Sequence, residues 1–278
     1  MTVAAVHREG VIAAMRQAGK GGKADFGYLM ATATRESGLD PTARAKGSSA
    51  HGLFQFTEQT WLRMMKNNGA ENGFAEEAGH IETGAGGKLT VTDPVARQRI
   101  LDLRSDPKAA SAMAAALASD NRTSLRGSLG REPSNGEVYM AHFLGARGAA
   151  DMIKACQTCG STKAADLLPA AAHANRSVFF DGARPRTVTE VRDRIESGFE
   201  TAYAGTEGEA KGIATAASGK GPDAVLKAAT PFRNLVTDLA DMAILAGLKM
   251  GAVNRDRGQS AYLEQRQKTG SPTSTHVV

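Results

Sequence analysis

Aromatic side chains are scarce, at 5% of the residues with one tryptophan, while glycine alone contributes 31 positions. Sheet faces draw on aromatic and β-branched side chains, so the expected core is one of close-packed helices. Cysteine is nearly missing: the chain has two, Cys156 and Cys159 in KACQTCGS. A disulfide framework is thereby excluded. A zinc site needs four ligands, and no second Cys/His pair lies at suitable spacing. A redox CxxC would follow a strand in a βαβ unit, a pattern not found here. The pair reads as two small residues at a helix end, with a local disulfide as the alternative.

Long apolar runs are also missing. The longest, MAILAGLKMGAV at 242–253, contains Lys249 and is too short to span a bilayer, so no transmembrane segment is expected. His7, Arg8 and Glu9 fall where a Sec-type signal peptide needs an unbroken apolar stretch. Any route out of the cytoplasm is expected to be one that these residues do not spell out. The net charge of +5 and pI near 9.3 suit polyanionic surroundings in general. With no Lys/Arg run and no basic stripe interleaved with aromatics, nucleic acid is not an expected partner.

What is present is helical periodicity. Val3, His7, Val11 and Met15 share one face of a first helix, which GKGGK ends. A second helix places Phe26, Leu29, Met30 and Ala33 inward and stops at Gly38, with Pro41 beyond. Thr57 caps a third, which buries Trp61, Leu62 and Met65. A glycine-rich loop, TGAGGK, precedes two helices opened by Asp93-Pro94 and Asp106-Pro107, where each aspartate reads as a cap. Capping boxes at Ser134/Glu137 and Thr187/Glu190 open two more. Only LFQF (53–56) and SVFF (177–180) look extended. The expected fold is therefore mainly α, with very short extended segments. Residues 1–205 form one helical domain and 206–230 a Gly/Ala/Ser-rich linker. Residues 231–252 read as an amphipathic helix, with Leu235, Leu239, Met242 and Ala246 on one side, and the end of 231–278 as a disordered tail.

Within this frame Glu36 stands out. It occupies the last turn of an apolar helix, where the dipole disfavours a carboxylate. Against Leu53, Phe54 and Phe56 its ionised form would be desolvated, which raises its pKa toward the range a general acid needs. A solvated helix-end glutamate is the plainer alternative.

The stretch ESGLDPTARAKGSSAHGLFQFTEQTW resembles the catalytic segment of the SLT-type lytic transglycosylases, which share a superfamily with goose-type lysozymes. The matching residues are Glu36, Ser37, Pro41, Ala43, Ser48, Ser49, Gly52, Leu53, Phe54 and Gln55, with Phe54 in place of the usual methionine. A second element, Ala141-His142-Phe143-Leu144-Gly145, stands where that family has Ala-Tyr-Asn-Ala-Gly. The Tyr-Asn pair is replaced, so either His142 or Tyr139, one turn earlier, would fill the tyrosine's place. YMAHFLGARGAA and ANRSVFFDGARPRTVTEV resemble a proteobacterial and phage-particle branch, and the likeness covers about residues 10–200.

The resemblance implies a lysozyme-like helical domain acting on peptidoglycan glycan strands, with Glu36 as sole catalytic carboxylate. Ser37, Ser49, Gln55, Tyr139 and His142 would orient the carboxyl or the sugar, and no metal or cofactor is implied. Plainer roles stand beside these: a helix-end hydroxyl for Ser37, backbone satisfaction for Gln55, core positions for Tyr139 and His142. His51 reads as a loop residue and Trp61 as core. A lysozyme-like hydrolase would need a second carboxylate, for which Asp40, Glu71, Glu77 and Glu82 are the candidates by proximity in sequence. A wall-docking structural component of a virion, flagellum or secretion apparatus is the reading from another class. The expected location is the periplasm or cell wall, with 231–252 as the segment that would meet such an assembly.

Overall fold

A computed structural model describes residues 3–216, with side chains from Arg8 to Thr206. The described chain is mainly helical, as its composition requires. The helices are α1 (Val3–Lys20), α2 (Phe26–Ser37), α3 (Glu58–Asn68), α4 (Ala75–Gly79), α5 (Pro94–Asp102), α6 (Pro107–Leu129) and α7 (Asn135–Cys159). Three short ones follow, α8 (Ala164–Leu167), α9 (Pro169–Ala174) and α10 (Arg176–Phe179), before the long α11 (Val188–Ala216). Two antiparallel hairpins complete the set: β1 (Glu82–Thr83) with β2 (Leu89–Thr90), and β3 (Phe180–Asp181) with β4 (Arg184–Pro185). No described helix is long and apolar enough to cross a membrane.

The caps fall where the side chains dictate. Asp25, Thr57, Asp93, Asp106 and Ser134 each accept a hydrogen bond from a backbone N–H in the first turn they cap. Ser134/Glu137 and Thr187/Glu190 form reciprocal capping boxes at the starts of α7 and α11. Helix α6 packs on α1 and α7, and α11 lies across both α2 and α7. One continuous core joins them, with Met15, Leu29, Phe54, Trp61, Phe179 and Phe199 fully buried. The indole N–H of Trp61 donates to the Ile100 carbonyl at 2.7 Å, which satisfies its polar atom inside that core.

Several expectations need correction. LFQF is not extended: Gly52 (φ +82°) and Gln55 (φ +47°) bend it into a tight turn, and Leu53, Phe54 and Phe56 are all buried rather than alternating. SVFF is mostly helix α10, and only Phe180 enters a strand. The glycine-rich loop is the tip of the β1–β2 hairpin, which carries too few residues to show a period of two. Phe26 does pack against the core, though partly buried, with the Arg16 guanidinium 5.4 Å from its ring centroid. Helix α11 continues through 206–216, so the chain is helical at the start of the segment expected to be linker. The rest of that segment and the 231–252 helix lie outside the described residues, as do the side chains of Val3 and His7.

Candidate active site

Helix α2 delivers Glu36 in its last turn, and the chain then reverses sharply. Gly38 adopts φ +65° and its N–H caps the Ala33 and Thr34 carbonyls. Leu39 follows at φ +67°, a conformation that costs a non-glycine residue on the order of 1–2 kcal/mol. The reversal turns the loop back across the end of α2. There the Ser37 hydroxyl bridges the Ala33 carbonyl (3.1 Å) and the Leu53 carbonyl (2.9 Å). Ser37 thus ties the helix end to the loop, sixteen residues on in sequence.

The Glu36 side chain is only 2% exposed. The Tyr139 hydroxyl, from the first half of α7, donates to its Oε1 at 3.0 Å. Burial raises the carboxyl from its ordinary 4.5 to about 7, while the tyrosine hydrogen bond and the Arg35 charge pull the other way. Desolvation wins, so at neutral pH the carboxyl is poised between its two forms. Burial drives the Tyr139 phenol upward, which keeps it a donor.

His142 lies one turn along α7, its ring stacked on Tyr139 with centroids 6.0 Å apart. Its Nε2 approaches Glu36 Oε1 at 3.7 Å, too far for a hydrogen bond. Burial pushes its pKa down to about 4, so the imidazole is neutral at neutral pH and the approach is not an ion pair. Of the two candidates to hold the carboxyl, Tyr139 makes the contact. Just beyond, α7 changes direction at Gly145 (φ +72°, ψ 156°).

Ser49 and Gln55 occupy other places than a contact with Glu36. The Ser49 hydroxyl accepts from the Glu58 N–H at the start of α3. Gln55 Nε2 donates to the Ala43 and Gly52 carbonyls at 3.1 and 2.8 Å, so the side chain braces the loop's interior. Ser48 accepts from Ala50 N–H, and His51 shares a 2.7 Å hydrogen bond with Ser105.

Two residues escaped the sequence reading. Arg104, buried between α5 and α6, donates Nη1 to the Ser49 carbonyl (2.7 Å) and the Phe56 carbonyl (3.3 Å), closing the loop. Nothing in DLRSDP distinguishes it from a surface arginine. Arg35 places its guanidinium 5.2 Å from the Tyr139 ring centroid. In the sequence it is simply the residue before Glu36.

The four candidate second carboxylates have their own surroundings. Asp40 accepts from Thr42 N–H and hydroxyl at 2.8 and 2.7 Å. Glu71 pairs with Lys23, Glu77 faces Arg99 at 3.6 Å, and Glu82 is exposed in β1. A groove of about 710 Å³ runs along α5, lined by Val95, Arg99 and Leu103 among others, and includes none of the residues around Glu36. Among the described residues no cluster of three or more His, Cys, Asp or Glu is arranged to hold a metal. Cys156 and Cys159 are both free thiols. Scanned against models of known protein families, the chain matches none.

The buried carboxyl makes a pH prediction independent of any activity. Unfolded, Glu36 titrates near 4.5; folded, near about 7. Between those values the folded state binds a proton that the unfolded state has released, so stability falls as pH rises through this window. Above it the penalty is fully present, at about 3 kcal/mol. His142 acts in the opposite direction, since acid charges it more readily in the unfolded chain. That contribution is common to wild type and variant. Glu36→Gln is therefore expected to be more stable than wild type at pH 8 by roughly 2–3 kcal/mol in urea unfolding, the gap narrowing toward pH 5. Equal midpoints at both pH values would mean that the carboxyl is solvated.

Proposed function

We propose that this chain carries a lysozyme-like domain acting as a peptidoglycan lytic transglycosylase. The observation that carries the reading is the buried Glu36 carboxyl, poised near neutrality and held by a tyrosine hydroxyl, within the segment that resembles such enzymes. Protonated Glu36 gives its proton to the glycosidic oxygen between N-acetylmuramic acid and N-acetylglucosamine. The substrate's own acetamide meets the charge that builds at the anomeric carbon, as in other substrate-assisted glycosidases. The carboxylate then removes the proton from the muramoyl C6 hydroxyl, whose oxygen attacks C1 and closes a 1,6-anhydro ring. Proton and charge balance with Glu36 alone, and water is consumed nowhere.

Tyr139 fixes the carboxyl at Oε1, and Oε2 makes no hydrogen bond to the described residues, which suits it to face substrate. The neutral imidazole of His142 adds a polar group beside the reacting atoms without adding charge. Asp40, Glu71 and Glu77 have polar partners other than Glu36, and the one-carboxylate route requires none of them. No cofactor enters the scheme. The site of action is the periplasm or cell wall, where the +5 net charge suits an anionic polymer.

The test is mass spectrometry of the soluble products released from purified peptidoglycan. Muropeptides one water lighter than hydrolysis products are the expected result; reducing-end products would make the chain a hydrolase. Docking of 231–252 on an envelope-spanning assembly or virion is part of the same proposal. A chain cut after Ala216 is expected to cleave as before and to lose that localisation, and undisturbed localisation would remove the docking role.

A further inference from the structure

Among its described side chains helix α11 contributes no acid, base or hydroxyl to the Glu36 site, yet it touches both helices that build it. Phe199 is fully buried, with its ring 5.0 Å from Tyr139 at 22° and 5.5 Å from Tyr28. One residue earlier, Gly198 meets Arg35. A methyl group on Gly198 would overlap Nη1 and come within 2.9 Å of both Cζ and Nη2, so the guanidinium lies against the glycine backbone. Glycine inside a helix costs about 0.5–1 kcal/mol relative to alanine. Gly198 has no positive φ to justify that cost. What it supplies is room for Arg35.

We infer that Arg35 is a positioning residue for the Tyr139–Glu36 pair, and that α11 holds it in place through Gly198 and Phe199. The Tyr139 ring is contacted by Arg35, Phe199 and His142, and its hydroxyl is thereby aimed at Glu36 Oε1. Arg35 acts on Glu36 a second time, because its charge favours the carboxylate form. The ionisable groups around Glu36 are Tyr139 and His142 from α7, with Arg35 and Tyr28 from its own helix. From α11, Glu196 and Glu200 pack against Gly136 instead. Removing the Arg35 charge therefore leaves desolvation less opposed, and the carboxyl titrates higher. Displacing the guanidinium with a methyl at position 198 works in the same direction, by loosening the tyrosine.

The catalytic meaning of this arrangement rests on the proposed role of Glu36; the measurement does not. In the full-length protein, the Glu36 carboxyl is followed by carbon-13 NMR titration, with Glu36→Gln identifying its resonance. Arg35→Gln is expected to raise the midpoint by roughly half a unit or more, and Arg35→Lys to restore part of the shift. Gly198→Ala is expected to raise it as well, with the arginine still in the chain. A midpoint unmoved by Arg35→Gln, in a protein that melts within a few degrees of wild type, would overturn the inference. If Gly198→Ala does not fold, Arg35→Gln and Arg35→Lys still decide. Should wild type release no muropeptides at all, the titration would stand unaffected and the proposed function alone would fail.

Discussion

Glu36→Gln is expected to reduce muropeptide release by about a thousandfold or more, with the fold intact. The amide keeps the shape and can still accept from Tyr139 at Oε1, but it has no proton to give at neutral pH. In the proposed cycle the same group acts twice, as acid toward the leaving oxygen and as base toward the C6 hydroxyl. Both steps are therefore lost together. The variant should at the same time gain stability above pH 7, because it no longer buries an ionised group. That pairing of lost activity with gained stability separates a functional carboxyl from a structural one. A stable variant with undiminished release would end the catalytic assignment.

Gly52→Ala is expected to be the most damaging methyl in the loop, costing about 3–5 kcal/mol in urea unfolding. Two effects add. The residue sits at φ +82°, where an L side chain is strained, and its Cβ would overlap the Arg104 carbonyl oxygen. Relief requires the loop to withdraw from Arg104, which donates to the Ser49 and Phe56 carbonyls from a buried position. A buried guanidinium stripped of its acceptors is costly in its own right. Gly47→Ala is the control: its φ of +87° carries similar strain but open space surrounds it, and a loss of about 1 kcal/mol is expected. Equal losses at both positions would mean that the Arg104 contact does not constrain the loop.

Helix positions were legible in the sequence because their signals are local. Asp93 and Asp106 before proline, and the two capping boxes, each act within four residues of themselves. LFQF misled because three large apolar residues in a short run suit a buried turn as well as a strand, and only backbone angles at Gly52 and Gln55 distinguish them. Glu36 stood out as a carboxylate at the wrong end of a helix. Its partner was narrowed to two residues, since the contact spans 103 positions and composition cannot choose between neighbours on one face. Arg35 and Arg104 were invisible for a related reason. An arginine that packs on a ring or closes a loop has the same local sequence as one in solvent. Gln55 and Ser49 are expected near the sugar from the resemblance alone, and their hydrogen bonds within the chain go to the loop and to α3.

Three of the side chains that hold the loop share a property with consequences for how it can change. Ser37 grips the Leu53 carbonyl, Gln55 those of Ala43 and Gly52, and Arg104 those of Ser49 and Phe56. Every acceptor is backbone oxygen, which any amino acid supplies. The exposed side chains of Thr42, Arg44 and Lys46 are therefore not needed for the loop's shape by any of these clamps. At these three exposed positions the sequence is free to change over evolution, or at a protein engineer's hand, while the clamps and the trace they fix are kept.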